Sequence, residues 1–347
     1  MSSFLPTPST SPPPPSSSPG NQKRLVAWIP TPLHPTALSL AREYFDVIDP
    51  TDEIRRDKWF EFADCSIVTS GKLTREEIEK ASGKLKIVTR NGVGVDSIPL
   101  STCQAHSIVV TNQPGCNAKA VAEITLGLAI SLFRNLIKID RKLRSGESTR
   151  AIEWRGRGLE GKKVGLVGMG DIAREVAKKF IGAFDCAILV YSPTSSLDKW
   201  TKDEDSIPHE RVETLDQLLQ LSDVISLHCP LNRQTRGLIG ERELRLMKES
   251  AIILNTARGG LIDEVALVKI LREQVIFGAG LDTLEFEPPN FDRYPELLSL
   301  SNVIVLPHVG AQEEESTKKA CLIAVETAHS FLNGKGIGKS KRVVSLI

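Results

Sequence analysis

The stretch that most limits how this chain can fold is Lys163–Phe180, KVGLVGMGDIAREVAKKF. It begins with a short apolar run, Val164–Val167, of the length and composition of a buried parallel strand. Gly168-Met169-Gly170-Asp171-Ile172-Ala173 follows, and then Ile172, Val176 and Phe180 recur at the four-residue spacing of an amphipathic helix. In a strand–turn–helix context a G-x-G-x-x-G/A pattern makes a dinucleotide site. Gly168 permits the tight turn, Gly170 opens backbone amides to a pyrophosphate at the helix N-terminus, and a small Ala173 lets helix and strand pack closely. Taken alone, the same pattern also describes an ordinary strand-to-helix turn.

The rest of the chain repeats this alternation. Short apolar runs at Leu25–Ile29, Phe45–Ile48, Cys65–Thr69, Leu85–Thr89 and Val109-Val110 alternate with helical segments, which predicts a parallel sheet covered by helices across residues 22–116. A second series, Ala187–Tyr191, Val224–Leu227, Ala251–Leu254, Phe277–Leu281 and Val303–Leu306, continues from the glycine turn. Helices are expected near Leu215–Leu221, Glu241–Met247, Glu264–Glu273 and Thr317–Leu332. Asn117–Asn135 is apolar almost all round and reads as a buried connecting helix. Arg141–Gly158 reads as a polar connecting arm anchored by Trp154. At 347 residues the chain has room for two such domains.

Residues 1–21 are rich in Ser and Pro and lack acidic residues, the composition of a disordered tail. An organelle-targeting segment shares those traits, but no arginine precedes Arg24. A cytoplasmic protein is the default expectation. The formal charge of +1 gives no electrostatic basis for a nucleic-acid or membrane partner. The six cysteines show neither C-x-x-C pairing nor metal-like spacing and read as free thiols, with no metal site.

Chemistry gathers where strands end. Arg90-Asn91-Gly92-Val93-Gly94 closes one strand with bare backbone amides suited to a carboxylate, and Lys72 and Arg90 are candidates for reading the far end of a substrate. Arg258, the Glu285/Glu287 pair and His308 each follow a strand of the second series. Singly they are a surface Arg, a solvated acid pair and a loop His. Together, at the carboxyl edge of a dinucleotide fold, they point to a catalytic cleft. At the end of Ala187–Tyr191, an NAD site would carry Asp or Glu to bond the ribose 2′-hydroxyl. Ser192 stands there, 19 residues after Ala173, and Lys199 and Lys202 follow. NAD(P) is thus the expected cofactor, with NADP favoured over NAD.

The blocks RNGVGVD, NQPGCNAKAVAE, GLVGMGDIA, HCPLNRQTRGLI, NTARGGLIDE, LDTLEFEPP and LPHVGA together resemble the D-isomer-specific 2-hydroxyacid dehydrogenase family, across about residues 60–335. That family includes phosphoglycerate dehydrogenases and hydroxypyruvate/glyoxylate reductases. The resemblance implies an α/β fold of two doubly wound parallel-sheet, Rossmann-like domains. A cofactor domain at 117–308 would be inserted into a flavodoxin-like substrate domain formed by 22–116 and 309–347. It also implies a homodimer joined through the cofactor domains.

By resemblance Arg258, Glu287 and His308 are catalytic, Glu287 being preferred to Glu285 because it directly precedes the proline. His308 would protonate the carbonyl oxygen, and a carboxylate at Glu287 would favour its imidazolium form. Arg258 would fork onto the substrate carboxylate, with the amides of Val93 and Gly94 on its other face. Against the cofactor the resemblance places Val121, Gly168, Gly170, Asp171, Ile172, Ser192, His228, Cys229, Pro230, Thr235, Thr256, Ala257, Arg258, Asp282, His308 and Gly310. Glu313 replaces the usual threonine of the family's G-x-x-T-x-E run, at a position that looks peripheral. The implied activity is hydride transfer between NAD(P)H and a small 2-keto or 2-hydroxy acid such as hydroxypyruvate or glyoxylate. Oxidation of 3-phosphoglycerate and a non-catalytic dinucleotide-sensing scaffold are the alternatives. Formate dehydrogenase relatives carry Gln where Glu287 stands.

Overall fold

The structure, a computed structural model, describes residues 24–201 and 206–343. The Ser/Pro-rich 1–21 segment, the question of targeting, and Lys202 lie outside the described residues.

Two sheets organise the chain. The first takes β1 (Val26–Trp28), β2 (Asp46–Ile48), β3 (Cys65–Val68), β4 (Ile87–Arg90) and β5 (Val109–Asn112), interleaved with helices α1 (Pro35–Tyr44), α2 (Arg75–Ala81) and α3 (Leu100–Ala105). Then come α4 (Ala118–Phe133) and α5 (Leu136–Arg144). The second sheet is built from β6 (Lys163–Val167), β7 (Ala187–Tyr191), β8 (Glu210–Arg211), β9 (Val224–Leu227), β10 (Ile252–Asn255), β11 (Gly278–Leu281) and β12 (Val303–Val305). Its helices are α6 (Asp171–Phe184), α7 (Leu215–Leu221), α8 (Glu241–Leu246), α9 (Glu264–Arg272) and α10 (Pro295–Ser299). Finally α11 (Glu314–Leu332) and the short β13 (Lys341–Arg342) return to the first sheet.

The strand orders are β13-β5-β4-β3-β1-β2 and β12-β11-β10-β9-β6-β7-β8. All neighbours pair in parallel except β13, which runs antiparallel along β5. Central strands such as β3, β9 and β10 are buried at every residue, because helices cover both faces, so the sequence there is a continuous rather than alternating apolar run. In the second sheet the winding direction reverses between β6 and β9, which places the crevice beside the carboxyl end of β6, directly at Gly168–Gly170.

Three elements differ from the sequence-based expectation. The first four residues of the Arg141–Gly158 arm are the last turn of helix α5, whose apolar residues Leu136, Ile137 and Leu143 are exposed. Phe45 is fully buried but belongs to the end of α1, its amide donating to the Ala41 carbonyl, so β2 starts one residue later. The two-residue β8 has no apolar run to announce it and exists by pairing along β7. Trp154 does sit at the arm, with the Lys138 and Lys142 ammonium groups 5.8 and 5.9 Å from its ring. All six cysteines are free thiols, four of them buried. Among the described residues no single helix is long and apolar enough to cross a membrane.

Candidate active site

At the switch point the chain makes room for a phosphate group. Gly168 has φ +108°, where a side chain is strained, and a Cβ there would come within 2.9 Å of the His228 carbonyl, so only glycine fits between β6 and the β9 loop. Helix α6 starts from Gly170, whose lack of a side chain leaves the first-turn amides without a side-chain cap, and nothing lies within 4 Å of where its Cβ would be. An uncapped helix N-terminus at a switch point is an anion site by geometry and dipole. These residues fit a dinucleotide pyrophosphate. Around them, Asp171 is exposed and Ile172 half-buried, and His228, which burial pushes down to about 3, is neutral and lies 2.8 Å from the Ser226 hydroxyl. Cys229 is half-buried and Pro230 exposed; the Pro230 carbonyl accepts from the Thr235 hydroxyl at 2.6 Å.

The loop after β10 sets the position of Arg258. The Asn255 side chain folds it, accepting from the Ala257 amide at 3.1 Å and donating to the Arg258 carbonyl at 2.8 Å. Thr256, buried, lies 3.2 Å from the Thr125 hydroxyl one turn beyond Val121 on α4. The Arg258 guanidinium then reaches across to the loop after β4. Its Nε and Nη2 donate to Asp96 Oδ2 at 2.9 and 2.8 Å, and Nη1 donates to the Ala257 carbonyl at 2.7 Å. It lies directly over Gly94, where a Cβ would fall 1.9 Å from Nη2.

Arg90 holds the loop that bears Val93 and Gly94. Its Nε donates to the Gly94 carbonyl at 2.9 Å and Nη1 to the Val68 carbonyl, so it shapes the Val93-Gly94 loop from behind. Burial and the neighbouring Arg258 charge lower its pKa, against the pull of Asp96. Lys72 is exposed and makes no such contact.

The acid and the imidazole meet. Glu287 Oε2 lies 2.8 Å from His308 Nδ1, and Glu287 Oε1 accepts from the Leu284 amide. Burial raises the Glu287 pKa, but the His308 hydrogen bond and charge, the Leu284 amide and the Arg258 charge together outweigh it, and the carboxyl is held below its ordinary value. The Arg258 charge thus bears on the Glu287–His308 pair. Glu285 turns away to Arg236 at 2.8 Å, so the two acids of the LEFEPP run have separate partners.

His308 itself has φ +60°, an uncommon conformation for a side-chain-bearing residue. Asp282, almost wholly buried at the end of β11, holds that turn: its two carboxylate oxygens accept from the Val309 and Gly310 amides, each at 2.8 Å. Asp282 therefore anchors the His308 turn, a role the sequence did not disclose. Val121 packs close to Gly310, 3.6 Å from where its Cβ would lie. Glu313 caps α11, accepting from the Glu315 and Ser316 amides at 2.9 Å each, and hydrogen bonds from the Glu315 and Ser316 side chains, with those amides, hold its carboxyl below the ordinary range.

At the end of β7 the Ser192 and Ser195 hydroxyls are 2.8 Å apart. Three residues at the site were not singled out from the sequence: Asn255, Asp96 and, on β8, Arg211. The first two stand inside motif blocks, where their side-chain direction has no local signal; the third lies in a segment with no pattern at all.

Residues 126–310 match the family model for the D-isomer specific 2-hydroxyacid dehydrogenase NAD binding domain. Among curated relatives, the chain is 36% identical over 295 residues to a hydroxypyruvate reductase of Thermotoga maritima, covering 84% of this chain and 92% of the relative. It is 39% identical over 307 residues to a D-3-phosphoglycerate dehydrogenase of Methanocaldococcus jannaschii, covering 88% of this chain but only 57% of that longer protein. Among solved structures, an NADPH-dependent glyoxylate/hydroxypyruvate reductase from Sinorhizobium meliloti superimposes with a TM-score of 0.79 at 26% identity, over 92% of this chain and 98% of the other. The chain belongs to the D-isomer-specific 2-hydroxyacid dehydrogenase family.

Proposed function

We propose that the chain reduces a small 2-keto acid of the glyoxylate or hydroxypyruvate type to the 2-hydroxy acid, using a nicotinamide dinucleotide. The carrying observation is the 2.8 Å contact between Glu287 and His308 Nδ1, set where the Arg258 charge is felt. When bound, the reduced nicotinamide supplies the hydride. The remaining work falls to the protein. With Nδ1 occupied by Glu287, the Nε2 of His308 is the nitrogen left to hand a proton to the keto oxygen as the carbonyl carbon is reduced. Glu287, held as a carboxylate, keeps the ring oriented through Nδ1. Arg258 exchanges Asp96 for the substrate carboxylate, which has the same two-oxygen shape, and the Val93 and Gly94 amides face its other side. Asp282 sets the His308 turn from behind.

Within this reading the cofactor domain spans 117–308 and the substrate domain 22–116 plus 309–347. The packing of α11 on α1, β3 and β4 supports that division. Oxidation of 3-phosphoglycerate would require cations for a phosphate. Of the two candidates, Lys72 is exposed and Arg90 stands behind the Val93-Gly94 loop on two backbone carbonyls, so turnover of 3-phosphoglycerate in the panel below decides between that reading and the smaller keto acids. Ser192 in place of a carboxylate favours NADPH.

We also propose a homodimer through the cofactor domains. A groove of about 900 Å³ lies between α5 and the β12 edge, lined in part by Ile137, and Leu136 and Leu143 on the same helix are exposed. Light scattering on the purified chain tests it; a monomer at micromolar concentration refutes it.

The direct test of function is turnover of glyoxylate, hydroxypyruvate, phenylpyruvate and 3-phosphoglycerate, each with both dinucleotides. No turnover on the panel together with tight NADH binding would replace the enzyme by a dinucleotide-sensing scaffold.

A further inference from the structure

The second sheet ends, beyond β7, in the two-residue strand β8, whose register sets Arg211 level with Val190. From there the Arg211 side chain runs along the end of β7 to the Ser192–Ser196 loop. Its Nη2 donates to the Ser192 carbonyl at 2.8 Å and the Ser195 carbonyl at 3.1 Å, and Nη1 donates to the Ser196 carbonyl at 2.8 Å. Among the described residues no carboxylate pairs with it, whereas Arg55, Arg242 and Arg245 each face acids. Neutral carbonyls fix the position of the guanidinium without cancelling its charge, and three of its five N–H groups account for these bonds, leaving others for a ligand. The loop it clamps, Ser192-Pro193-Thr194-Ser195-Ser196, has no acidic side chain and presents the paired Ser192 and Ser195 hydroxyls.

We infer that Arg211 is the specificity-determining residue for a ribose 2′-phosphate, which it and the Ser192/Ser195 hydroxyls bind at the end of β7. This rests on the dinucleotide reading above and deepens it. The adenosine ribose of a dinucleotide lies at the end of the strand after the glycine turn, here β7. A carboxylate there accepts from a 2′-hydroxyl and repels a 2′-phosphate; hydroxyl donors beside an unneutralised guanidinium do the reverse. Arg211 reaches the site from a neighbouring strand, 19 residues beyond Ser192 along the chain. No Arg directly follows Ser192, so the sequence alone offered the hydroxyls and the nearby Lys199 and Lys202 but not this guanidinium.

The test is direct binding by titration calorimetry on the full chain, with adenosine 2′,5′-bisphosphate against 5′-AMP and with NADPH against NADH. Wild type should prefer the 2′-phosphorylated member of each pair by about 10- to 100-fold, the range of one to two charge-assisted hydrogen bonds. Arg211→Gln should bring both ratios below about threefold; any loosening of the Ser192–Ser196 loop falls alike on NADH and NADPH, so the ratio reports the 2′-phosphate contact. Arg211→Lys keeps a cation and should retain part of the preference. In wild type the bisphosphate preference should fall as pH drops from 7.5 to 5, because the second phosphate ionisation lies near pH ~6. This pH profile decides the matter if neither variant folds. Equal loss of NADH and NADPH in Arg211→Gln would show a merely structural clamp and overturn the assignment, as would an absent 2′-phosphate preference in wild type. Failure of wild type to bind any dinucleotide would remove the underlying reading along with it.

Discussion

Gly94→Ala isolates the position of the Arg258 guanidinium from its identity. A methyl group at Gly94 would stand 1.9 Å from Arg258 Nη2, 3.2 Å from Cζ and 3.2 Å from Asp96 Oδ2, with no backbone atom among its three nearest neighbours. All three obstacles are ends of long or exposed side chains, so the fold gives way there at little cost. Gly94 does not have a left-handed φ, so alanine is conformationally acceptable and limits the unfolded chain slightly. The melting temperature should therefore stay level or rise. To reach ordinary van der Waals separation, Nη2 must retreat by about 1.5 Å. A misplacement of about 1 Å in a positioning group can reduce turnover by roughly 100-fold, about 2.7 kcal/mol of transition-state stabilisation. The assay is kcat/KM for glyoxylate and hydroxypyruvate, with NADPH affinity as control, because Gly94 lies on the substrate side of the cleft. A value within about threefold of wild type, with an unshifted melt, would show that the guanidinium need not occupy this place and would sink the role given to Arg258.

Arg258→Ala should lower kcat/KM by at least ~100-fold, the loss expected of an oriented electrostatic contact; near-wild-type kinetics would remove it from the mechanism. Asp96→Asn frees Arg258 from its competitor, and because exposed ion pairs contribute about 0.2–1 kcal/mol, KM for the keto acid should fall by up to about fivefold. An unchanged KM would mean that Asp96 and substrate do not compete. Ser192→Asp should shift preference toward NADH, read by NADH and NADPH affinities; unchanged selectivity would show that position 192 does not face the ribose. Glu287 has a lowered folded pKa, so its contribution to stability is present above its unfolded pKa and is lost as pH falls through the folded value. Glu287→Gln lacks that titration, so the gap between wild-type and variant melting temperatures should narrow as pH falls through and below the ordinary carboxylate range; a gap that stays constant across that range would contradict the pairing with His308.

The fold was legible because its signals are local. Apolar runs such as Val224–Leu227 and Ile252–Asn255 are buried at every residue, and their alternation with amphipathic helices leaves little choice but helices on both faces of a parallel sheet. What escaped was structure that exists only by pairing. Strand β8 is two residues long and draws its order from β7, and helix α5 carries its apolar residues outward, so hydrophobic patterning alone made its region look like a loop.

The candidate site divides along the same line. Arg258, Glu287 and His308 could be picked out because each follows a strand whose end had to lie on one edge of one sheet. The side chains that aim them could not. Asp282 holds the left-handed His308 turn, Asn255 folds the loop bearing Arg258, and Asp96 engages Arg258 across 162 residues of chain. Arg211 is the extreme instance: its place depends on which residue of β8 stands beside Val190, and a shift of one position would turn its side chain to the opposite face, away from the Ser192 loop. Groups that do chemistry are thus marked by the strand they end, whereas groups that choose between ligands are set by register between strands. Variants that slide or remove β8 should for that reason alter dinucleotide choice while leaving the Glu287–His308 pair, on the far side of the sheet order, as it stands.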